Sequence, residues 1–340
     1  MSSLQQAGSQ SDPALVYPEP PSDRTRWILD ARPMRREPER IEGRAAAFLW
    51  EEEWQGGNTI LPGLTVFLTN RECPWRCVMC DLWRGALSKP VGAGDILAQF
   101  DAALASRQAR RMDWVKLYNA GSFFDVGAIP PSCHDGIAYR CRGISRLIVE
   151  SHPALIGDRV RSFLRLLATG VTLEVAMGLE TIHPIAHERL NKRTRPVDFA
   201  QAAGRLKEMG VGVRMFLLTS PPFVRRDRAL EWLLRSVDFA LDAGADPVVV
   251  IPTRGGNGAM ERLRVAGDWE EGPLEWLEQA VLHGRSRGAG RVMADTWDLE
   301  RRAAWDPPAK VVLDRLADLN RGGINRPPGE VQANEVFREG

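Results

Sequence analysis

The chain has 340 residues, 44% of them apolar, enough to bury a substantial core in one large α/β domain with additions or in two smaller domains. Lys+Arg number 45 and Asp+Glu 44, for a formal net charge of +1, so overall charge gives no support for a nucleic-acid or membrane partner. No apolar stretch approaches the roughly 20 residues that span a bilayer, MSSLQQAGSQSDP lacks a basic-then-apolar leader, and five cysteines do not make a secreted disulfide framework. The expected compartment is the cytoplasm.

Residues 1–57 read as an N-terminal extension. Its first 22 residues are rich in Ser, Gln and Pro and are expected to be loosely draped. An arginine-rich stretch follows (Arg24, Arg26, Arg32, Arg35, Arg36, Arg40, Arg44), then AAAFLWEEEW, which looks helical or strand-like without a clear period. It reads as a solvated extension packed by Trp27, Leu49, Trp50 and Trp54, or as arginines facing an anionic substrate. Residues 58–300 read as the core. An apolar, β-branched run from Leu64 to Thr69 follows Pro62-Gly63 and predicts a strand. Ile96, Leu97, Phe100 and Leu104 recur at helical spacing, before strands at WVKLY (114–118) and RLIVE, ending at Glu150. A helix through Ile156, Val160, Phe163, Leu164 and Leu167 stops at Gly170. VTLEVAMG, VGVRMFLL and VVVI (248–251) are the next strands, with a Pro196-initiated helix and a Leu230–Leu241 helix between them. Residues 301–340 hold one helix, with Val311, Val312, Leu316 and Leu319 apolar, and a Gly/Pro-rich tail that covers the open barrel side or is disordered. Strands that are nearly uniformly apolar and alternate with helices argue for a parallel sheet covered by helices.

The first strand runs into RECPWRCVMC, where Cys73, Cys77 and Cys80 stand at C-x3-C-x2-C spacing. Thiolates are the usual ligands of iron-sulfur clusters, and a cubane normally takes four; three leave one iron open. A structural zinc site would be closed and four-coordinate, and the nearest other candidates, Cys133 and His134, lie far along the chain.

This spacing at the end of a first strand resembles the signature of the radical S-adenosylmethionine (radical SAM) superfamily. The resemblance implies a partial (β/α)6 TIM-like barrel, a 4Fe-4S cluster on the three cysteines, and SAM chelated to the open iron and cleaved reductively to a 5′-deoxyadenosyl radical. It also implies a flavodoxin- or ferredoxin-like reductant. Ligand residues are then expected at the C-terminal strand ends.

Several motifs stand there. Asn119-Ala120-Gly121-Ser122 follows the second strand and resembles the Gly-rich motif that holds the SAM amino group; a plain turn is the alternative. Glu150 in VESHP is placed to accept hydrogen bonds from ribose hydroxyls or an ammonium group, or else pairs with Arg146 or Arg159. MGLET with the downstream RLNKRT resembles the post-strand motif of oxygen-independent coproporphyrinogen oxidases, methylthiotransferases and the elongator catalytic subunit, which implies Glu180 near SAM. Lys192 and Arg193 read as a solvated helix face. Met79, within C-V-M-C, falls where the family sets a residue beside adenine, and Trp75 and Trp83 either wall the cluster or pack the loop. In Arg254-Gly255-Gly256-Asn257-Gly258 the Lys-Ser/Thr of a P-loop is missing and no helix start is obvious, so nucleotide hydrolysis is not expected. Asn257 is the candidate there, for substrate or the methionine end of SAM.

Taken together these segments resemble the archaeosine-synthesis lyase and elongator group. Cys133 and Cys141 are too few for a second cluster held by cysteines alone. The expectation is a single-cluster enzyme of unassigned substrate and catalytic residue. The alternatives are an iron-sulfur or zinc module that binds RNA without catalysis, its basic runs at 107–111 and 225–228 forming the footprint, and a radical tRNA-modifying enzyme.

Overall fold

The computed structural model describes residues 16–34, 47–107, 110–299 and 307–323. Most of the Ser/Gln/Pro-rich start, Arg35, Arg36, Arg40 and Arg44, part of the 107–111 basic run and the Gly/Pro-rich tail lie outside them. Among the described residues no helix is long and apolar enough to cross a membrane.

Each of the six apolar runs read from the sequence forms a strand. These are β2 (Thr59–Leu68), β3 (Trp114–Asn119), β4 (Arg146–Glu150), β5 (Thr172–Glu180), β6 (Gly212–Leu218) and β7 (Val248–Ile251). Two more flank them, β1 (Ala47–Gly56) and β8 (Val292–Ala294). The eight strands form one sheet in sequence order, β1 antiparallel to β2 and every later pair parallel. The α/β class and the partial TIM-like barrel are borne out. The segment read as a solvated extension contributes a full strand instead.

Strand alternation sends Val115, Leu117, Val149, Val175, Met177, Val213, Met215, Val248 and Val250 outward into one core. There they meet the apolar faces of helices α2 (Ala93–Ala105), α4 (Asp158–Leu164), α6 (Pro196–Glu208), α7 (Arg226–Asp242) and α9 (Glu275–Arg287), through Phe100, Phe163, Phe199, Val237 and Val281. Helices α3 (His134–Arg140), α5 (Pro184–Arg189) and α8 (Ala259–Ala266) complete the helices of the core. The C-terminal helix α10 (Pro307–Asn320) covers the β8 edge: Asn320 donates to Ala294 O at 2.7 Å and accepts from Ala294 N at 2.8 Å. A capped edge has no free ladder for another chain.

The opposite faces line a lumen, and its base is charged. Arg214 of β6 donates to Glu53 of β1 at 2.7 and 3.0 Å and to Glu174 of β5 at 2.6 Å, while Lys116 of β3 lies 2.8 Å from Glu53 and 3.1 Å from Glu51. Strands β1 and β6 are not sheet neighbours, so these contacts cross the barrel. Burial alone would push Glu53 up, but Arg214 and Lys116 outweigh it and hold its carboxyl well below the usual range. Gly63 lies in register with Trp114, and a Cβ there would stand 2.1 Å from the indole. Only glycine lets that ring lie over the strand, where its Nε1 donates to Leu61 O at 2.9 Å and Lys116 Nζ sits 4.5 Å from its centre.

Candidate cofactor site at the barrel mouth

The cysteine loop leaves the C-terminal end of β2 and is tied down from four directions. Leu87 N donates to Asn70 O at 2.8 Å and Glu72 N to Leu87 O at 2.9 Å, closing the loop on itself. Asn70 accepts from Ala120 N at 3.2 Å, which ties the loop to the turn after β3. Asn191 donates to Arg76 O at 2.8 Å, and Val78 N to Leu190 O at 3.0 Å. Asn257 donates to Val78 O at 2.8 Å and Cys80 O at 3.1 Å while accepting from Met260 N at 2.8 Å. The Asn257 side chain is thereby fully used by protein and holds the loop itself. The Gly255–Gly258 segment does open a helix, α8, whose Glu261 accepts from Gly258 N. This corrects the expectation that none starts there; a Glu in the first turn supplied the signal.

Across this loop lies α1 (Pro21–Ala31). Trp27, Ile28 and Ala31 pack with Tyr17, Val78, Leu190, Met260 and Trp269 in a second apolar cluster, and Met79 joins its edge. Arg32 bonds Glu72 at 2.7 Å and lies over the buried Trp83 ring at 4.5 Å. Arg24, 2% exposed, bonds Glu188 at 2.6 Å. Two of the N-terminal arginines are therefore structural clamps.

Burial pushes the Cys73 thiol up to about 11 and those of Cys77 and Cys80 up to about 12; each thiol raises a neighbour further, and Lys192 opposes the rise at all three. The three sulfurs share one electrostatic neighbourhood with one buried ammonium. Among the described residues no three His, Cys, Asp or Glu groups converge to chelate a single ion. A cubane carries its irons on separate corners and takes thiolates that stand further apart. Gly121, at φ 146°, brings its backbone against the loop: a Cβ there would lie 3.4 Å from Cys73 Cβ. Beside it Asn119 is 4% exposed, and among the described residues neither its side-chain amide oxygen nor its nitrogen has a hydrogen-bond partner. An orphaned buried amide costs stability unless something fills its bonds, so the residues present fit a ligand next to the cysteines.

Ser122 accepts from His152 N at 2.8 Å, and the His152 ring stacks on Trp75 at 3.8 Å and 7°. Trp75 thus packs the loop onto the β4 end. Burial lowers His152 to about 4, so its imidazole is neutral. Glu180, at φ 66°, pairs with Lys192 at 2.6 Å. Lys192 is 8% exposed, which corrects the solvated-face reading; Arg193 is exposed. Gly178 makes the pair possible, since a Cβ there would meet the Glu180 carboxylate at 2.3 Å and the Lys192 ammonium at 2.7 Å. Asn191 and Arg193 also hold positive φ, so backbone strain gathers on the two segments that carry this pair. Glu150 takes neither arginine considered from sequence: Arg146 bonds Gln55 and Glu174, and Arg159 bonds Phe124 O. Burial raises its carboxyl to about 8. The structure therefore gathers Asn119, Gly121, Ser122, Glu150 and Glu180 on the strand ends around the cysteine loop, and moves Met79 and Asn257 to the loop's own packing. Asn191 and His152 were not singled out in the sequence; the only signal for Asn191 was its place in RLNKRT.

No family model matches the chain. A curated relative, archaeosine synthase subunit beta of Methanosarcina acetivorans, is 30% identical over 186 residues, covering 52% of this chain and 54% of the relative. The chain thus spans about half the length of that protein. Among solved structures, methylornithine synthase superposes with a TM-score of 0.50 at 12% identity, over 94% of this chain and 83% of that one. The radical SAM methyltransferase TsrM of Kitasatospora setae, solved with cobalamin and a 4Fe-4S cluster, gives a TM-score of 0.43 at 14% identity over 58% and 38% of the two chains. The superposition on methylornithine synthase shows a shared fold.

Proposed function

We propose that this protein is a radical SAM enzyme that holds one 4Fe-4S cluster on Cys73, Cys77 and Cys80 and uses S-adenosylmethionine as its second cofactor. Bound there, the two would supply one-electron cleavage of the sulfonium and a 5′-deoxyadenosyl radical that takes hydrogen from substrate. The observation that carries the reading is the trio of half-buried thiols at C-x3-C-x2-C spacing on the end of β2, with the Gly121 backbone packed against Cys73.

The chain's own residues then have separate tasks. The unfilled Asn119 amide, the Gly121 backbone and Ser122 offer donors and acceptors to the amino-acid end of SAM. Glu180 and Lys192 set a fixed ion pair beside the thiols, and that ammonium favours thiolate over thiol. Glu150 faces ribose hydroxyls or an ammonium. Asn191 and Asn257 hold the loop in register, and α1 with Trp83 excludes water from its outer side. A drier cluster has a shifted potential, which the reductant, a flavodoxin- or ferredoxin-like protein, must meet.

Anaerobic reconstitution should give a brown protein with about four irons per chain, and dithionite plus SAM should yield 5′-deoxyadenosine. Zinc without iron, or iron without SAM cleavage, would remove the reading. The match to archaeosine synthase subunit beta favours a radical tRNA-modifying enzyme as the second, finer reading. Mass spectrometry of tRNA nucleosides from a deletion strain tests it: a missing or precursor nucleoside supports it, and an unchanged profile rejects it.

A further inference from the structure

Above the charged base, the lumen changes character. Thr65, Lys116, Glu174 and Arg214 are buried, but one step toward the mouth Phe67, Tyr118, Phe216 and Ile251 are only half-buried although they face the barrel axis. That they face it follows from topology: β3 and β6 are separated by two strands in the sheet, yet the Tyr118 and Phe216 rings meet at 6.2 Å and 90°. Phe67, in register with Tyr118, meets the same ring at 6.2 Å and 64°. Three aromatic rings therefore floor an open well. The Tyr118 hydroxyl makes no hydrogen bond to any described residue. Burial raises both Tyr118 and, at the β8 end of the well, Asp295. Asp295 accepts from Trp297 N at 3.0 Å on one oxygen, its other oxygen lies 3.5 Å from Arg254, and it shares its surroundings with Glu51 and Lys116; the lone pairs these leave give its carboxyl further acceptor capacity.

We propose that this well recognises the substrate and takes an amino-substituted heteroaromatic ring, stacked on the Tyr118–Phe216 floor with its N–H groups turned to Asp295. Exposed ring faces select flat rings, because stacked and edge-on aromatic contacts add to area burial. A carboxylate at the wall selects N–H donors and repels anions, and Glu51 beside it adds to that repulsion. The inference rests on the radical SAM reading only in calling the ring a substrate; the binding itself needs no cofactor.

The test titrates three probes into the full chain, followed by ligand-detected NMR: 2-aminobenzimidazole, benzoate and cyclohexylamine. The first should bind, the second fail for its charge and the third bind on the order of tenfold more weakly for want of a flat aromatic ring. Tyr118→Leu and Asp295→Asn should each weaken 2-aminobenzimidazole on the order of tenfold. Asp295→Asn is nearly isosteric, so it stays decisive if loss of the aromatic ring unfolds the barrel. Benzoate binding as tightly as 2-aminobenzimidazole, or wild-type affinity in Asp295→Asn, would overturn the assignment. SAM cleavage is not read, so a failure here leaves the cofactor reading standing, and a failure of SAM cleavage leaves this binding result intact.

Discussion

The two ends of one lumen use charge in opposite ways. At the base, Glu53, Glu174, Lys116 and Arg214 are almost wholly buried and each finds an ionic partner within 2.8 Å. At the mouth, among the described residues, the Glu150 carboxyl forms no salt bridge and the Asn119 side-chain amide has no hydrogen-bond partner, while burial raises the thiols. Paired buried charge fixes the barrel's shape. Unpaired polarity in the same barrel is retained at a cost to stability, which is the signature of groups kept for a ligand.

Substitutions break this contrast most sharply where a residue is irreplaceable. Triple alanine replacement of Cys73, Cys77 and Cys80 should reduce iron from about four per chain to near none, read by colorimetric iron assay, with circular dichroism unchanged. At the base, Arg214→Leu removes the shared partner of two buried carboxylates, leaving Glu53 to Lys116 and Glu174 to Arg146, and should cost about 3–5 kcal/mol of stability, measured by urea unfolding. The mouth should answer with the opposite sign. Glu150 keeps a proton in the folded chain up to about pH 8, whereas the unfolded chain releases it near its ordinary value, so the folded state loses stability as pH rises between the two. Glu150→Gln should therefore stabilise the cofactor-free protein by roughly 2–4 kcal/mol at pH 8 and leave it unchanged below pH 4. A midpoint that falls at pH 8 would mean the carboxyl is serving as a structural partner. The smallest effect belongs to the loop's tether: Asn257→Ala should cost about 1–2 kcal/mol and speed iron loss to a chelator, since the Val78 and Cys80 carbonyls lose their donor.

The contrast also explains what the sequence could convey. Strands β2 to β7 were legible because their outward residues are apolar, and Cys73, Cys77 and Cys80 because their spacing is specific. Strand β1 was not, because Glu51 and Glu53 point into the lumen, and acidic residues at alternate positions look like a solvated face when their partners Lys116 and Arg214 are 65 and 161 residues away. Strand β8 has three residues, too few to show a period. Lys192 looked exposed within a run of charges because nothing local announces that Glu180, 12 residues earlier, turns back on a positive φ to meet it. Long-range ion pairs leave no periodic trace; apolar faces do.

The most direct test of the central claim asks whether the cysteine trio leaves one iron open. The reconstituted, dithionite-reduced full chain is examined by electron paramagnetic resonance before and after addition of SAM. A 4Fe-4S signal whose g-values shift with SAM, and fail to shift with 5′-methylthioadenosine, which lacks the amino-acid end, is the predicted result. A cluster signal indifferent to SAM, or a chain that retains zinc and takes up no iron, would contradict the account.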